Sequence, residues 1–299
     1  MGFFGGVEAG GTKFVCIVAD AAGVVQAETR FATTTPDETL GRTIAFFEEQ
    51  ASAYPMQAIG VASFGPLDLD PASPTYGYIT NTPKPGWAGV DFAGRLRAAF
   101  GLPLGFDTDV NAAALGEYLW GAGRGADPVA YFTIGTGIGG GFIVHGKPLH
   151  GLVHPESGHI GIPRGAGDVF GGVCPYHGDC FEGLASGTAL RQRWGQPAET
   201  LPDDHPAWQL EAEYIARALV NVILLISPQR IVLGGGVMQR ALLFPLVRRK
   251  TAQLLNGYVG SPALGEEIEN YIVPPLLGGY AGALGAVALG MQAAGGEGQ

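Results

Sequence analysis

Phe3-Phe4-Gly5-Gly6-Val7-Glu8-Ala9-Gly10-Gly11-Thr12-Lys13-Phe14-Val15-Cys16-Ile17-Val18 decides how the chain is read. Two apolar runs flank Gly10-Gly11, so Phe3–Glu8 and Lys13–Ala19 are expected to be strands joined by a tight turn. Val24–Phe31 adds a third strand after Ala21-Ala22-Gly23, which makes an antiparallel meander. Phe14–Val18 is apolar without alternation, which predicts a strand covered on both faces. The design returns later, where Ala130–Ile134 and Gly140–Val144 flank a second glycine turn at Gly135-Thr136-Gly137. Two related α/β halves facing a shared cleft account for the recurrence.

Between the hairpins the period changes. Pro36–Ser52 reads as a helix with Thr35 as N-cap and Leu40, Ile44 and Phe47 on its buried face. Ile59–Ser63, Leu104–Phe106 and Arg230–Leu233 read as strands. Val110–Leu119, Ala207–Ile226, Val237–Leu255 and Ala281–Gln292 read as helices. Gly65–Gly89 is loop-dominated, and a long loop inside a compact domain is usually functional.

Composition excludes several classes. A formal net charge of −10 with no Lys/Arg run gives nucleic acid or an anionic membrane little to hold. The N-terminus has no basic region ahead of an apolar core, so no signal peptide is expected. Tyr280–Gly296 is uncharged but mostly Gly and Ala, too short and weakly apolar to span a bilayer. It reads as a tightly packed helix of a soluble, cytoplasmic protein. Cys174 and Cys180 could close a small disulfide, but the interleaved His177 and the missing secretory signal favour a reduced compartment and a metal.

Glycine clusters at Gly10-Gly11, Gly135–Gly141, Gly234–Gly236 and Gly278-Gly279 suggest one ligand approached by several loops. Gly135-Thr136-Gly137-Ile138-Gly139-Gly140 matches the dinucleotide fingerprint, yet a strand rather than a helix follows, so that reading is rejected. A hairpin tip of Gly-Thr-Gly can instead turn its backbone N–H groups toward phosphate. Glu8–Lys13 shares the design, with the Lys13 amine nearby. Gly234–Gly236, after a strand, would let an adenine lie flat on the backbone.

His159, Cys174, His177 and Cys180 supply a closed tetrahedral zinc set. Glu156 and Glu182 bracket it and remain available for the hydroxyls of a sugar. Asp107-Thr108-Asp109-Val110-Asn111 holds more acceptors than one helix cap requires. A carboxylate there can take the proton of a substrate hydroxyl as its oxygen attacks a γ-phosphorus. Cys16 reads as a small core residue, and His145, His150, His154 and His205 as polar surface groups.

These motifs coincide with a family. Glu8–Lys13, Asp109–Glu117, Ile134–Gly141, Glu156–His159, Cys180–Glu182 and Gly234–Gly236 resemble, in order and spacing, the ROK sugar kinases of the actin/hexokinase superfamily. Ala62–Pro66 and Tyr76–Lys84 look like the bacterial fructokinase branch. The resemblance implies an α/β fold of two actin/hexokinase-like (ribonuclease H-like) domains around a cleft, with a zinc-stapled loop. The small domain would be 1–115 plus 281–299 and the large one 116–280. It implies ATP- and Mg²⁺-dependent phosphorylation of a hexose 6-hydroxyl, that of fructose by a fructokinase or of mannose or glucose by a broader enzyme, in a homodimer.

By the same resemblance Asp109 is the base, and Gly65, Pro66, Asn81, Thr108, Asp109, Glu156, His159 and Glu182 meet the sugar. Gly10, Gly11, Thr12, Lys13, Gly135, Thr136 and Gly137 form the two phosphate loops, and Gly234, Gly235 and Gly236 the adenosine motif. His159, Cys174, His177 and Cys180 hold structural zinc. Two positions depart from the family pattern: Glu8 stands where Asp is usual, and Thr108 where Asn usually precedes the base. The usual zinc loop, Cys-x-Cys-x₄-Cys, is here Cys174-x₂-His177-x₂-Cys180.

Overall fold

A computed structural model describes residues 2–296, and its contacts divide the chain into two compact units. The first runs to residue 124 and takes in 147–154 and the segment from 277 on; the second comprises 125–146 and 155–276. The boundary expected at residue 115 falls inside a helix that the first unit keeps whole.

In the first unit, β1 (Phe3–Ala9), β2 (Lys13–Asp20) and β3 (Val25–Ala32) form the expected meander. Parallel strands β4 (Met56–Ser63) and β7 (Leu104–Thr108) extend it in the order β3-β2-β1-β4-β7. β5 (Tyr78–Ile79) and β6 (Val90–Asp91) make a separate small ribbon. The helices are α1 (Pro36–Gln50), α2 (Phe92–Phe100), α3 (Asp109–Trp120) and, from the end of the chain, α9 (Ala281–Ala294). The short β10 (Lys147–Pro148) opens the inserted segment. Elements are numbered along the whole chain.

β2 shows why its sequence does not alternate. Phe14, Cys16 and Val18 pack with Leu40 and Phe47 of α1 and Phe92 of α2. Val15, Ile17 and Ala19 face the other way, onto Ala283, Leu284 and Val287 of α9. α9 lies so close to the sheet that a Cβ on Gly60 would sit 1.7 Å from the Ala286 carbonyl oxygen. The glycine richness of this unit thus serves packing as well as turns. The uncharged C-terminal segment is a core helix, and among the described residues no helix is long and apolar enough to cross a membrane.

The second unit repeats the opening. β8 (Val129–Ile134) and β9 (Ile138–Val144) form an antiparallel hairpin, and β11 (Arg230–Gly234) runs parallel to β8 with β12 (Ile272–Val273) beyond it. Its helices are α4 (Phe181–Ala185), α5 (Gly187–Trp194), α6 (Ala207–Ile226), α7 (Leu243–Leu255) and α8 (Ile268–Tyr271). The helix expected over Val237–Leu255 is broken: Val237–Gln239 is a single 3₁₀ turn, and α7 starts only at Leu243. Arg240 has extended backbone and reaches away to the loop before α6, donating to the carbonyl oxygens of Leu201 (2.8 Å) and Ala198 (3.3 Å).

Candidate active site

The first glycine turn is tight, with Gly10 N–H donating to the Lys13 carbonyl at 2.9 Å. Thr33, just past β3, braces it: its N–H donates to the Thr12 carbonyl at 2.9 Å, and its hydroxyl to the Gly10 carbonyl at 2.7 Å. Glu8 precedes the turn and packs against Gly282 of α9, where the Ala283 amide serves its carboxylate. Its Oε2 is buried without a hydrogen-bond partner. Burial pushes the Glu8 pKa above the usual carboxylate range; Lys13 opposes the rise and the nearby Asp109 carboxylate adds to it.

Asp109 begins α3, and the cap there belongs to its neighbour: Thr108 Oγ1 accepts from Asn111 N–H at 3.1 Å. Capping therefore does not require the Asp109 carboxylate, which accepts from Val110 N–H at 2.9 Å. Asp107, 1% exposed, accepts from Thr108 N–H at 2.7 Å and Asn111 Nδ2 at 2.8 Å. It also bonds His150 Nε2 at 2.9 Å. His150 is an exposed polar group, as expected, but it is paired with Asp107, and that bond holds its pKa above the ordinary value. His145 is 93% exposed at its side chain. The rest of the Asp109–Glu117 motif is architecture. Gly116 lets α9 approach, and buried Glu117 accepts from the amides of Ala122 (2.7 Å) and Leu277 (2.9 Å).

The other residues expected to touch sugar in this unit follow β4. Gly65-Pro66 is a cis peptide, and the Pro66 carbonyl accepts from Thr80 N–H at 2.8 Å; Asn81 is exposed beside it.

In the second unit the Gly135–Gly137 turn is docked by the start of α5. Gly187 N–H donates to the Gly135 carbonyl and Thr188 Oγ1 to that of Thr136, both at 2.7 Å. Gly235, at φ +91°, follows β11 so closely under Ile134 that a Cβ would lie 2.4 Å from its carbonyl oxygen. Around these turns lies a cavity of about 830 Å³, lined by Gly135, Thr136, Gly187, Thr188, Gly236 and Arg240 among others. Two of the three predicted glycine loops meet there. Sequence reasoning missed α5 and the Pro197–Asp203 wall; Ser186, whose hydroxyl caps α5 at Ala189 N–H (3.1 Å), was the legible signal.

Ser157–His159 forms a 3₁₀ turn against β9, made possible by Gly158, where a Cβ would meet the Ile138 carbonyl oxygen at 2.0 Å. Glu156 precedes this turn and is exposed. Glu182, in the first turn of α4, accepts from Ile138 N–H at 2.9 Å through one oxygen. The three cysteines are free thiols. One ligand atom each of His159, Cys174, His177 and Cys180 lies within 4.8 Å of all the others.

The ROK family profile matches residues 4–293. A fructokinase of Zymomonas mobilis subsp. mobilis is 47% identical over 296 residues, covering 97% of each chain. The solved structure of a ROK hexokinase from Thermus thermophilus matches with a TM-score of 0.81 at 26% identity, over 97% of this chain and 98% of that one. A ROK family glucokinase from Streptomyces griseus, in complex with glucose and AMPPNP, matches at 0.76 and 27%, over 97% of this chain and 100% of its own.

Proposed function

The chain belongs to the ROK family, and we propose that this sugar kinase transfers the γ-phosphoryl group of ATP to the 6-hydroxyl of D-fructose. Identity of 47% to a fructokinase over 97% of the chain supports the acceptor. The observation that carries the chemistry is the company of Glu8, whose carboxylate is close enough to both the Asp109 carboxylate and the Lys13 ammonium for their charges to interact. A base, a cation and a second carboxylate around a glycine turn are what phosphoryl transfer asks of a protein.

In this reading Asp109 accepts the hydroxyl proton as the sugar oxygen attacks, while Glu156, His159 and the remaining oxygen of Glu182 hold other hydroxyls. Thr108, Gly65, Pro66 and Asn81 complete the sugar contacts. Gly10–Lys13 and Gly135–Gly137 hold phosphates, and Gly234–Gly236 the adenosine. Mg²⁺ neutralises charge on the phosphates when bound. Glu8 fits it, since its orphaned Oε2 has an acceptor site to spare for a metal-bound water.

Zinc suits the four-residue cluster. Bonds of about 2.3 Å to sulfur and 2.0 Å to nitrogen set tetrahedral S···N edges of roughly 3.5 Å. Cys174 Sγ lies 3.6 Å from Nδ1 of both His159 and His177, and Cys180 Sγ 3.5 Å from His159 Nδ1. Zinc there would hold the loop that ends at Glu182. Family membership also supports a homodimer.

The test is an ADP-release assay with ATP and Mg²⁺ on fructose, mannose, glucose, N-acetylmannosamine and N-acetylglucosamine. Fructose should turn over best, and Asp109→Asn should lower kcat by about 10³ while fructose binding persists. Preference for another hexose overturns the acceptor, and wild-type turnover in Asp109→Asn overturns the base.

A further inference from the structure

The segment Asn81–Trp87 has entered the chemistry only through Asn81, yet it is fastened to the brace of the first phosphate turn. Thr33 holds that turn by two hydrogen bonds. Its own carbonyl accepts from Lys84 Nζ at 3.3 Å, and that of Thr34 from Trp87 Nε1 at 2.9 Å. Trp87 is fully buried, and its N–H closes a turn on the Lys84 carbonyl at 3.2 Å. The lysine backbone is therefore fixed by its aromatic neighbour, and the ammonium is delivered to the residue that positions Gly10 and Thr12.

Lys84 is partly buried and gives one hydrogen bond, and among the described residues no carboxylate lies within ion-pair distance of it. An ammonium carries three donors, and holding it partly out of water without a counter-ion costs free energy. A fixed cation of that kind stabilises negative charge that arrives during reaction, because it needs no reorganisation then.

We propose that Lys84 is a second catalytic cation, beside Lys13, for the phosphoryl group handled by the Gly10–Thr12 turn; this rests on the kinase reading above. As the bond from the γ-phosphorus to the ADP oxygen breaks and that to the sugar 6-oxygen forms, the hydroxyl proton passes to Asp109. The unused N–H groups of Lys84 meet the transferring oxygens.

The test compares Lys84→Met and Lys84→Arg in the full chain, on the hexose that the wild type prefers. Lys84→Met should lower kcat about 30-fold and leave the sugar KM within about twofold. It should weaken the MgADP–aluminium fluoride–sugar complex by a similar factor while MgADP binding is kept, and Lys84→Arg should recover most of both losses. Wild-type kcat and full analogue affinity in Lys84→Met overturn the inference. So does a loss shared equally by MgADP binding and accompanied by a lower Tm, since that marks a merely structural role. No turnover by the wild type on any hexose overturns the kinase reading instead.

Discussion

Gly285→Ala should damage both stability and turnover, through the contact between α9 and the helix that begins with Asp109. A Cβ at residue 285 would lie 1.7 Å from the Ala112 carbonyl oxygen and 2.2 Å from its carbonyl carbon. Both are backbone atoms of α3, so no rotamer change relieves the clash. Relief requires the helices to part by about 1.5 Å, in an interior packed like a crystal. α9 has little room to retreat, since Ala281–Gly290 is buried and rests on β1 and β4. Overpacking of this severity costs about 3 kcal/mol, which lowers Tm by roughly 6–12 °C in a protein of this size. The displacement therefore falls on α3, where Asp109 lies one turn before Ala112. A displacement of about 1 Å there costs on the order of 10²-fold in kcat. Circular-dichroism melting and steady-state assay read the two effects. Gly41→Ala is the control, since that glycine lies exposed inside α1 with nothing within 4 Å of the added atom. It should stabilise by about 0.4–1 kcal/mol. If Gly285→Ala melts with the wild type and keeps its kcat, the close packing of α3 on α9 is refuted.

Elemental analysis should find about one zinc per chain in the wild type and none in Cys180→Ser, with a lowered Tm; equal metal content in the two would sink the zinc assignment. The Asp107–His150 pair predicts a pH effect on stability. Its His150 pKa is raised in the folded state, so the contribution is complete below about pH 6.5, the unfolded value, and is lost as pH rises through the folded one. The wild-type Tm should accordingly drop toward that of His150→Gln as pH rises above about 6.5, and parallel curves would remove the pair from consideration.

The strands were legible because their signals are local. Apolar runs stopped by Gly10-Gly11 and Gly135–Gly137 set both hairpins, and the unbroken run Phe14–Val18 foretold a strand covered on each face. Helix boundaries failed where the deciding partner is distant in sequence. Val237-Met238 continues the apolar pattern of α7, but Arg240 is drawn out to Asp203 (2.6 Å) and the carbonyls beside it, which ends the turn. α2 could have been found: Asp91 caps it at Gly94 N–H (2.7 Å), and Gly101 ends it in the left-handed region. Its length of nine residues and interior glycine hid the period.

At the candidate site the sequence marks where acceptors gather but not how they divide the work. Asp107, Thr108, Asp109 and Asn111 are chemically interchangeable as caps on paper. Packing separates them: Thr108 takes the cap, while Asn111 and His150 turn to Asp107. That assignment depends on the segment 147–154 returning to α3, which no local pattern announces. The same holds for Lys84, whose neighbours in sequence give a branch resemblance and a Pro-Gly turn but not the direction of its charge. Its position follows from Trp87 finding a buried place and a carbonyl at Thr34, more than fifty residues earlier. Where a charge is aimed by an apolar anchor of this kind, its role becomes readable only after the core has been assembled.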